Sequence, residues 1–191
     1  MRRIGQFTAI VALTAALVLP ATGCGGSAGT GGYETITTGA LEPGDQVAVP
    51  DDPILEIDGA ISTTNQDGRL LLDLASIEQL GLVRYSVDDP WLKREVEYTG
   101  VLLEDLVRLV QPAGSARSLH LVALDDYEVD IAIADAERWP VVLATKLDGE
   151  RMPIANGGPT RIVFPYGLVS DIDELQYKDL WIWNIESISV R

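Results

Sequence analysis

A single cysteine, Cys24, and a single histidine, His120, bound the chemistry open to this chain. One thiol makes no internal disulfide and no cysteine-rich metal site. It is a small buried residue, a nucleophile, a ligand or an attachment point. His120 stands in the apolar run "SLHLVAL", where a satisfied or edge-strand histidine is expected rather than a metal ligand. A Ser–His–Asp enzyme would need that histidine, and no serine stands in a G-x-S-x-G turn. The acidic turns "LDGE" and "DDY" are too ordinary to read as acid–base pairs.

Two other stretches have the residue types of a small-ligand site. In "DDPWLK", Trp91 lies in a polar stretch without core periodicity. An indole there can stack on a flat ring, and Asp88 or Asp89 can accept from its N–H groups. The competing role for Trp91 is to cap the core after Pro90. In "NGGPTR", Gly157 and Gly158 let backbone come close to a planar or anionic ligand, or simply turn the chain into a strand. Arg161 can hold a phosphate or a carbonyl edge, or pair with surface acids. Trp181 and Trp183 fall on one face of a strand and are expected in the core, with Phe164 or Trp139 near them.

The elements that must position these residues follow from periodicity. Alternating or β-branched runs predict strands at Ile54–Gly59, Leu82–Val87, Arg94–Gly100, Ser118–Leu124, Tyr127–Ile133, Val141–Leu147, Arg161–Pro165 and Leu180–Val190. The best helix is Val101–Val110, apolar at 102, 103, 106, 107 and 110 and stopped by Pro112. A second covers Leu74–Leu80 with Asp73 as N-cap, and a third Ala134–Arg138. Many strands with short helices between them predict one α+β domain of mixed β-sheets.

Ahead of the domain, Arg2 and Arg3 precede the uncharged run "FTAIVALTAALVLP". It is too short to span a bilayer, which needs about 20 apolar residues, and reads as an export signal. The small residues Ala21, Thr22 and Gly23 before Cys24 resemble the lipobox of bacterial lipoproteins, in which the cysteine is acylated. Ala21 departs from the larger aliphatic usual there, so cleavage by an ordinary signal peptidase is the rival. The expected division is a signal at 1–23, a glycine-rich tether at 24–46 and the domain at 47–191. "GGSAGTGG" places five glycines among the eight residues of 25–32.

The net charge is −15, and loss of the two arginines in 1–23 takes it to −17. Such a surface is not drawn to nucleic acid or anionic lipid. Membrane contact is then expected through acyl chains, with the domain exported and facing the periplasm or cell exterior.

The order of "YTGVLLEDLV", "ALDDYEVDIAIAD", "VVLATKLDGERM", "NGGPTRIVFP" and "LWIWNIESI" resembles the molybdopterin-binding domain of the sulfite oxidase family. The resemblance implies that a metal-ligating cysteine would lie in the loop before the "GV" helix start. Here that loop, Tyr85–Gly100, has none, and Asp88 or Asp89 would be a poor substitute for a soft thiolate. It further implies a histidine where this chain has Asn156, keeps the arginine as Arg161, and implies a lysine at the position of Leu180, with Lys178 two residues earlier.

The resulting expectation is a cysteine-less member of this fold, resembling periplasmic pterin-binding regulators. A pterin, or molybdopterin held without a protein thiolate, would bind at Asp88, Asp89, Trp91, Asn156, Gly157, Gly158 and Arg161. Cys24 would carry lipid, and a membrane signalling protein would be the partner. The alternatives are a molybdenum-cofactor-dependent oxidoreductase and a non-catalytic scaffold lipoprotein.

Overall fold

The computed structural model describes residues 32–172 and 174–191. Cys24, the export segment 1–23 and the first part of the tether lie outside the described residues. The strands are β1 (Glu34–Thr38), β2 (Leu55–Gly59), β3 (Leu70–Leu72), β4 (Gly81–Asp89), β5 (Arg94–Leu102), β6 (Ser118–Ala123), β7 (Glu128–Ala132), β8 (Val142–Leu147), β9 (Glu150–Arg151), β10 (Arg161–Val163) and β11 (Ile185–Val190). The helices are α1 (Leu74–Glu78), α2 (Leu103–Val110), α3 (Ile133–Arg138) and α4 (Glu174–Tyr177).

They form two sheets, an α+β arrangement. One runs β1-β4-β5-β8-β10, with β9 paired to β8, and is antiparallel throughout. The other runs β3-β2-β11-β6-β7 and is antiparallel except for the parallel pair β2–β11. Local chemistry explains the joints. Asp148 and Gly149 both have positive φ, 49° and 81°, which a two-residue hairpin turn of the twist-matching type requires between β8 and β9. Asp73 caps α1 as expected: its Oδ1 accepts from Ser76 N–H at 2.8 Å while Ser76 Oγ accepts from Asp73 N–H at 2.9 Å. Following β5 without a break, α2 lays Leu106, Val107 and Val110 against Ile57, Leu119 and Ile188 of the second sheet. It ends at a left-handed Gln111, just before Pro112.

Beyond shifts of a few residues at element ends and the short unforeseen strand β3, two departures from expectation stand out. Glu34–Thr38, inside the segment read as a tether, is an edge strand on β4, and Glu34 pairs with Arg84 at 2.6 Å. The alternation of "ETITT" is mostly polar and solvent-facing, so periodicity of apolar residues passes over it. The final strand starts at Ile185 rather than Leu180. Residues 181–184 first run beside β10, where Ile162 N–H donates to the Ile182 carbonyl at 2.9 Å. They then cross to the second sheet through Asn184, which has φ 52°. This crossing joins the sheets and carries two of the four tryptophans.

His120 is buried between the carboxylates of Asp130, 3.1 Å away, and Glu128, 3.6 Å away, the satisfied histidine expected. A different acid ties helix to sheet. Glu78 accepts from Thr145 Oγ1 at 2.6 Å and from both Arg151 terminal nitrogens at 2.5 and 2.8 Å. Burial pushes its carboxyl up, but the Arg151 and Thr145 hydrogen bonds and the guanidinium charge outweigh burial and hold it below the usual range. A lowered folded-state value means the unfolded chain takes up the proton first, so this stabilisation is full above the ordinary glutamate range and is lost as pH falls through the folded value. The Glu78→Gln variant is therefore expected to be less stable than the parent at pH 7, with the gap narrowing as pH falls below the ordinary glutamate range, measured by urea denaturation at pH 7 and at a lower pH. A gap that does not narrow at the lower pH would contradict this.

Candidate functional site

Three segments meet where the sheets are joined: the turn between β4 and β5, the 3₁₀ turn Ile154–Asn156, and the crossing 181–184. They enclose a groove of about 620 Å³ lined by Trp91, Leu92, Leu147, Ala155, Asn156, Gly157, Arg161 and Trp183.

The β4–β5 turn is organised from within by Asp89, which is 2% exposed. Its Oδ1 accepts from the N–H groups of Trp91 and Leu92, both at 2.7 Å, the side-chain turn that Asp followed by Pro favours. Its Oδ2 accepts from Tyr98 O–H at 2.5 Å. With the carboxylate drawn inward, the turn presents Trp91 at its tip, 47% exposed.

Arg161 opens β10 and lies beneath the groove, 5% exposed. Its Nη1 donates to Tyr98 Oη at 3.2 Å and its Nη2 to the Asn156 carbonyl at 2.7 Å. Nε has no protein partner, and no carboxylate among the described residues pairs directly with this guanidinium. Its negative counterpart is Asp89, reached through the Tyr98 hydroxyl. Burial, and then the hydrogen bond to Asp89, push the Tyr98 phenol well above its ordinary range, against the opposing charge of Arg161. The guanidinium carbon also stands 5.6 Å from the Trp183 ring centre, within cation–π range.

Gly157, with φ 80°, lies so close to Arg161 that a Cβ there would run into the guanidinium. The Gly158–Pro159 peptide is cis. Asn184 holds the turn in place, its Nδ2 donating to the carbonyls of Ile154 at 2.7 Å and Gly158 at 2.5 Å.

A second pocket of about 260 Å³ adjoins the groove, lined by Trp91, Ala123, Asp125, Tyr127, Trp181, Trp183 and Asn184. Trp91 and Trp183 belong to both, their rings 5.6 Å apart and crossed at 85°.

Of the residues singled out from sequence, the structure brings Trp91, Asn156, Gly157 and Arg161 together. It does not do so for three others. Asp89 is an internal brace with both oxygens engaged, because the turn's N–H groups and the Tyr98 hydroxyl need a buried acceptor. Asp88, its neighbour on the opposite face of β4, is exposed and outside the groove lining. Gly158 is buried against Met152 and lines neither pocket. Trp181 is in the core as expected, packed on Tyr98 and Tyr166, whereas Trp183 is only partly buried and forms a wall of both pockets. Lys178, on the 3₁₀ turn Lys178–Leu180, lines neither. Sequence reasoning missed Tyr98, Asn184 and Tyr127. Tyr98 reads as one more apolar position of β5, and nothing local marks the other two.

The donor set does not suit a metal ligated by a protein thiolate. No cysteine occurs among the described residues, and no group of three or more His, Cys, Asp or Glu among them could hold a metal ion. The β4–β5 turn is closed around Asp89. What the groove offers instead is aromatic surface, a buried guanidinium with unused N–H groups, and no carboxylate.

Residues 79–170 match the family model of the oxidoreductase molybdopterin binding domain. Among solved structures, the chain is similar to the sulfane dehydrogenase SoxCD from Paracoccus pantotrophus. The TM-score is 0.54 at 14% identity, covering 71% of this chain and 37% of that one. The likeness is one of fold, and the chain spans little more than a third of that protein. The matched stretch holds Trp91, Tyr98, Gly157 and Arg161, while Trp181 and Trp183 lie beyond it.

Proposed function

We propose, for a chain that carries the sulfite oxidase-family molybdopterin-binding fold, that the groove binds a flat heteroaromatic ligand of the pterin class without a protein–metal bond. The observation that carries this is Arg161. A guanidinium has five N–H donors. Here Nε is enclosed by protein, Nη1 and Nη2 each donate once, and the groove lining contains no acid. One N–H on each terminal nitrogen is therefore unused. A ligand carbonyl, ring nitrogen or phosphate oxygen would supply the missing acceptor, and Trp91 and Trp183 would cover the ring. The amino edge of the ring would meet the Asn156 side chain rather than Asp88 or Asp89.

In this reading the domain is exported and held at a membrane by acyl chains on Cys24, more than one being needed for stable anchoring. Ligand occupancy would be read by a membrane signalling protein. These steps rest on residues 1–24 and on the resemblance, and nucleic acid has no part in them. Bound molybdopterin would bring redox chemistry with its metal, but the residues present give that metal no thiolate.

The test is a fluorescence titration of the Cys24→Ser mature protein with pterin-6-carboxylate, alongside native mass spectrometry of material from a host that makes molybdenum cofactor. Saturable quenching is expected, with Trp91→Ala and Arg161→Gln each weakening binding about tenfold, the scale of one stacked ring or one charge-assisted hydrogen bond. Binding that both variants leave unchanged would overturn the proposal. A co-purified mass of metal plus pyranopterin would replace it with the oxidoreductase reading.

A further inference from the structure

We infer that the smaller pocket beside the groove is a separate site for a quaternary or methylated ammonium ion. Its walls are aromatic: Trp91 and Trp183 meet at 85° to form two sides of a corner, with Trp181 and Tyr127 completing the enclosure. The negative face of an aromatic ring attracts an organic cation, most strongly for tryptophan and when several rings surround it.

The polar groups have the matching sign. Asp125 is the only charged residue in the lining, which contains no Lys, Arg or His. Asn184 has its amide N–H₂ committed to the carbonyls of Ile154 and Gly158, so the amide group it has left is an acceptor oxygen. The indole nitrogens of Trp181 and Trp183 are enclosed by protein and present no donor to the pocket. The pocket therefore offers acceptors and π-faces, with the Trp91 indole N–H as its one side-chain donor not enclosed or engaged, while the adjoining groove offers a guanidinium and no acid. Two neighbouring cavities with opposite polarity are unsuited to the same ligand group.

The cage is also held in shape. Tyr127 donates its hydroxyl to the Asp179 carbonyl at 2.8 Å, and its N–H donates to Asp125 Oδ1 at 3.3 Å. A ring fixed at its far end loses little freedom on binding, which favours affinity for a small ligand. Tyr127 is itself 46% exposed, so the cage is open to solvent.

This site does not depend on which ligand the groove takes, although the two share Trp91 and Trp183 as walls. Its test uses choline chloride and the uncharged carbon isostere 3,3-dimethyl-1-butanol, titrated into the Cys24→Ser protein at ionic strength matched with sodium chloride. The readouts are tryptophan fluorescence and the indole ¹H–¹⁵N resonances. Choline is expected to bind saturably and shift the Trp91 and Trp183 indole signals, with the isostere at least about tenfold weaker, the gap expected of a partly desolvated cation–π site. Asp125→Asn and Tyr127→Ala are each expected to weaken choline about fivefold. Both positions lie on an exposed turn, and a thermal melt confirms that each variant is folded. Equal binding of choline and its isostere would show an apolar hole without charge selection and overturn the inference. So would the lack of any saturable choline signal, or choline affinity indifferent to both variants.

Discussion

The Gly158→Ala variant is expected to lose about 3 kcal/mol or more of stability, at the upper end of what overpacking costs. A Cβ at this position would fall inside the van der Waals surface of the Met152 carbonyl and only 2.6 Å from the Met152 Cβ. The obstacle is backbone, which cannot swing aside as a long side chain can. Gly158 also makes two hydrogen bonds that place the turn: its N–H donates to the Pro153 carbonyl at 3.0 Å and its carbonyl accepts from Asn184. Moving the residue to relieve the overlap would disturb both.

Glycines elsewhere provide the controls. Gly114 has open space around it and an ordinary φ, so Gly114→Ala should be neutral or slightly stabilising through the unfolded chain. Gly149 also has open space but a φ of 81°, and Gly149→Ala should cost about 1 kcal/mol from left-handed strain alone. Urea denaturation of the three variants ranks the effects. If Gly158→Ala falls within 1 kcal/mol of the parent, the close approach to Met152 is not a fixed feature of the fold. Because the same turn supports Asn156 and Gly157, the binding proposed for the groove should also weaken in this variant, without a lining residue being touched.

How much of this was legible in sequence depends on what each residue's role rests on. The strands from β4 to β8 are read almost in place, because Val83, Tyr85, Val87, Val96 and Tyr98 alternate with polar residues, as a sheet with one buried face requires. The helix α2 is equally plain, its buried Leu103, Leu106, Val107 and Val110 falling on one face. β1 is not legible, since its outward residues carry no apolar signal and its place depends on pairing with a distant β4. The crossing at 181–184 is misread for a related reason. "LWIWN" alternates like a strand, but a left-handed Asn184 breaks it, and nothing in five residues reveals that.

The site divides along the same line. Trp91 and Arg161 are singled out because an indole in a polar stretch and an arginine after a glycine pair are locally unusual, and both line the groove. Asp89 is assigned the wrong task because its type and position suit both a ligand contact and a turn brace. Only the location of Tyr98, nine residues on and across the hairpin, separates the two. Asn184 and Tyr127 become parts of a site only when the second sheet is folded against the first. Distant partners are invisible to periodicity, and the misreadings collect where they decide the outcome.

Asp89→Ala should be the other costly substitution, at about 3 kcal/mol or more. It removes the acceptor of two turn N–H groups and of the Tyr98 hydroxyl in a site with almost no access to water, and an unsatisfied buried donor costs about 1–3 kcal/mol. It also removes the one buried carboxylate that answers the charge of Arg161 through Tyr98, and breaking such an arrangement from one side leaves a buried ion unbalanced. Asp89→Asn keeps an oxygen for the turn but no acceptor for the phenol, so its cost should be intermediate. Tyr98→Phe separates the two contributions: in that background Asp89→Ala should cost less by about 1 kcal/mol, the coupling of residues that share a hydrogen bond. A cycle with no coupling would mean that the carboxylate serves only the turn. The decisive comparison is between stability and binding. A carboxylate facing the ligand would alter affinity and leave the melting temperature nearly unchanged. One that holds the turn and balances Arg161 must lower the melting temperature first, and affinity falls only because Trp91 and Arg161 lose their support.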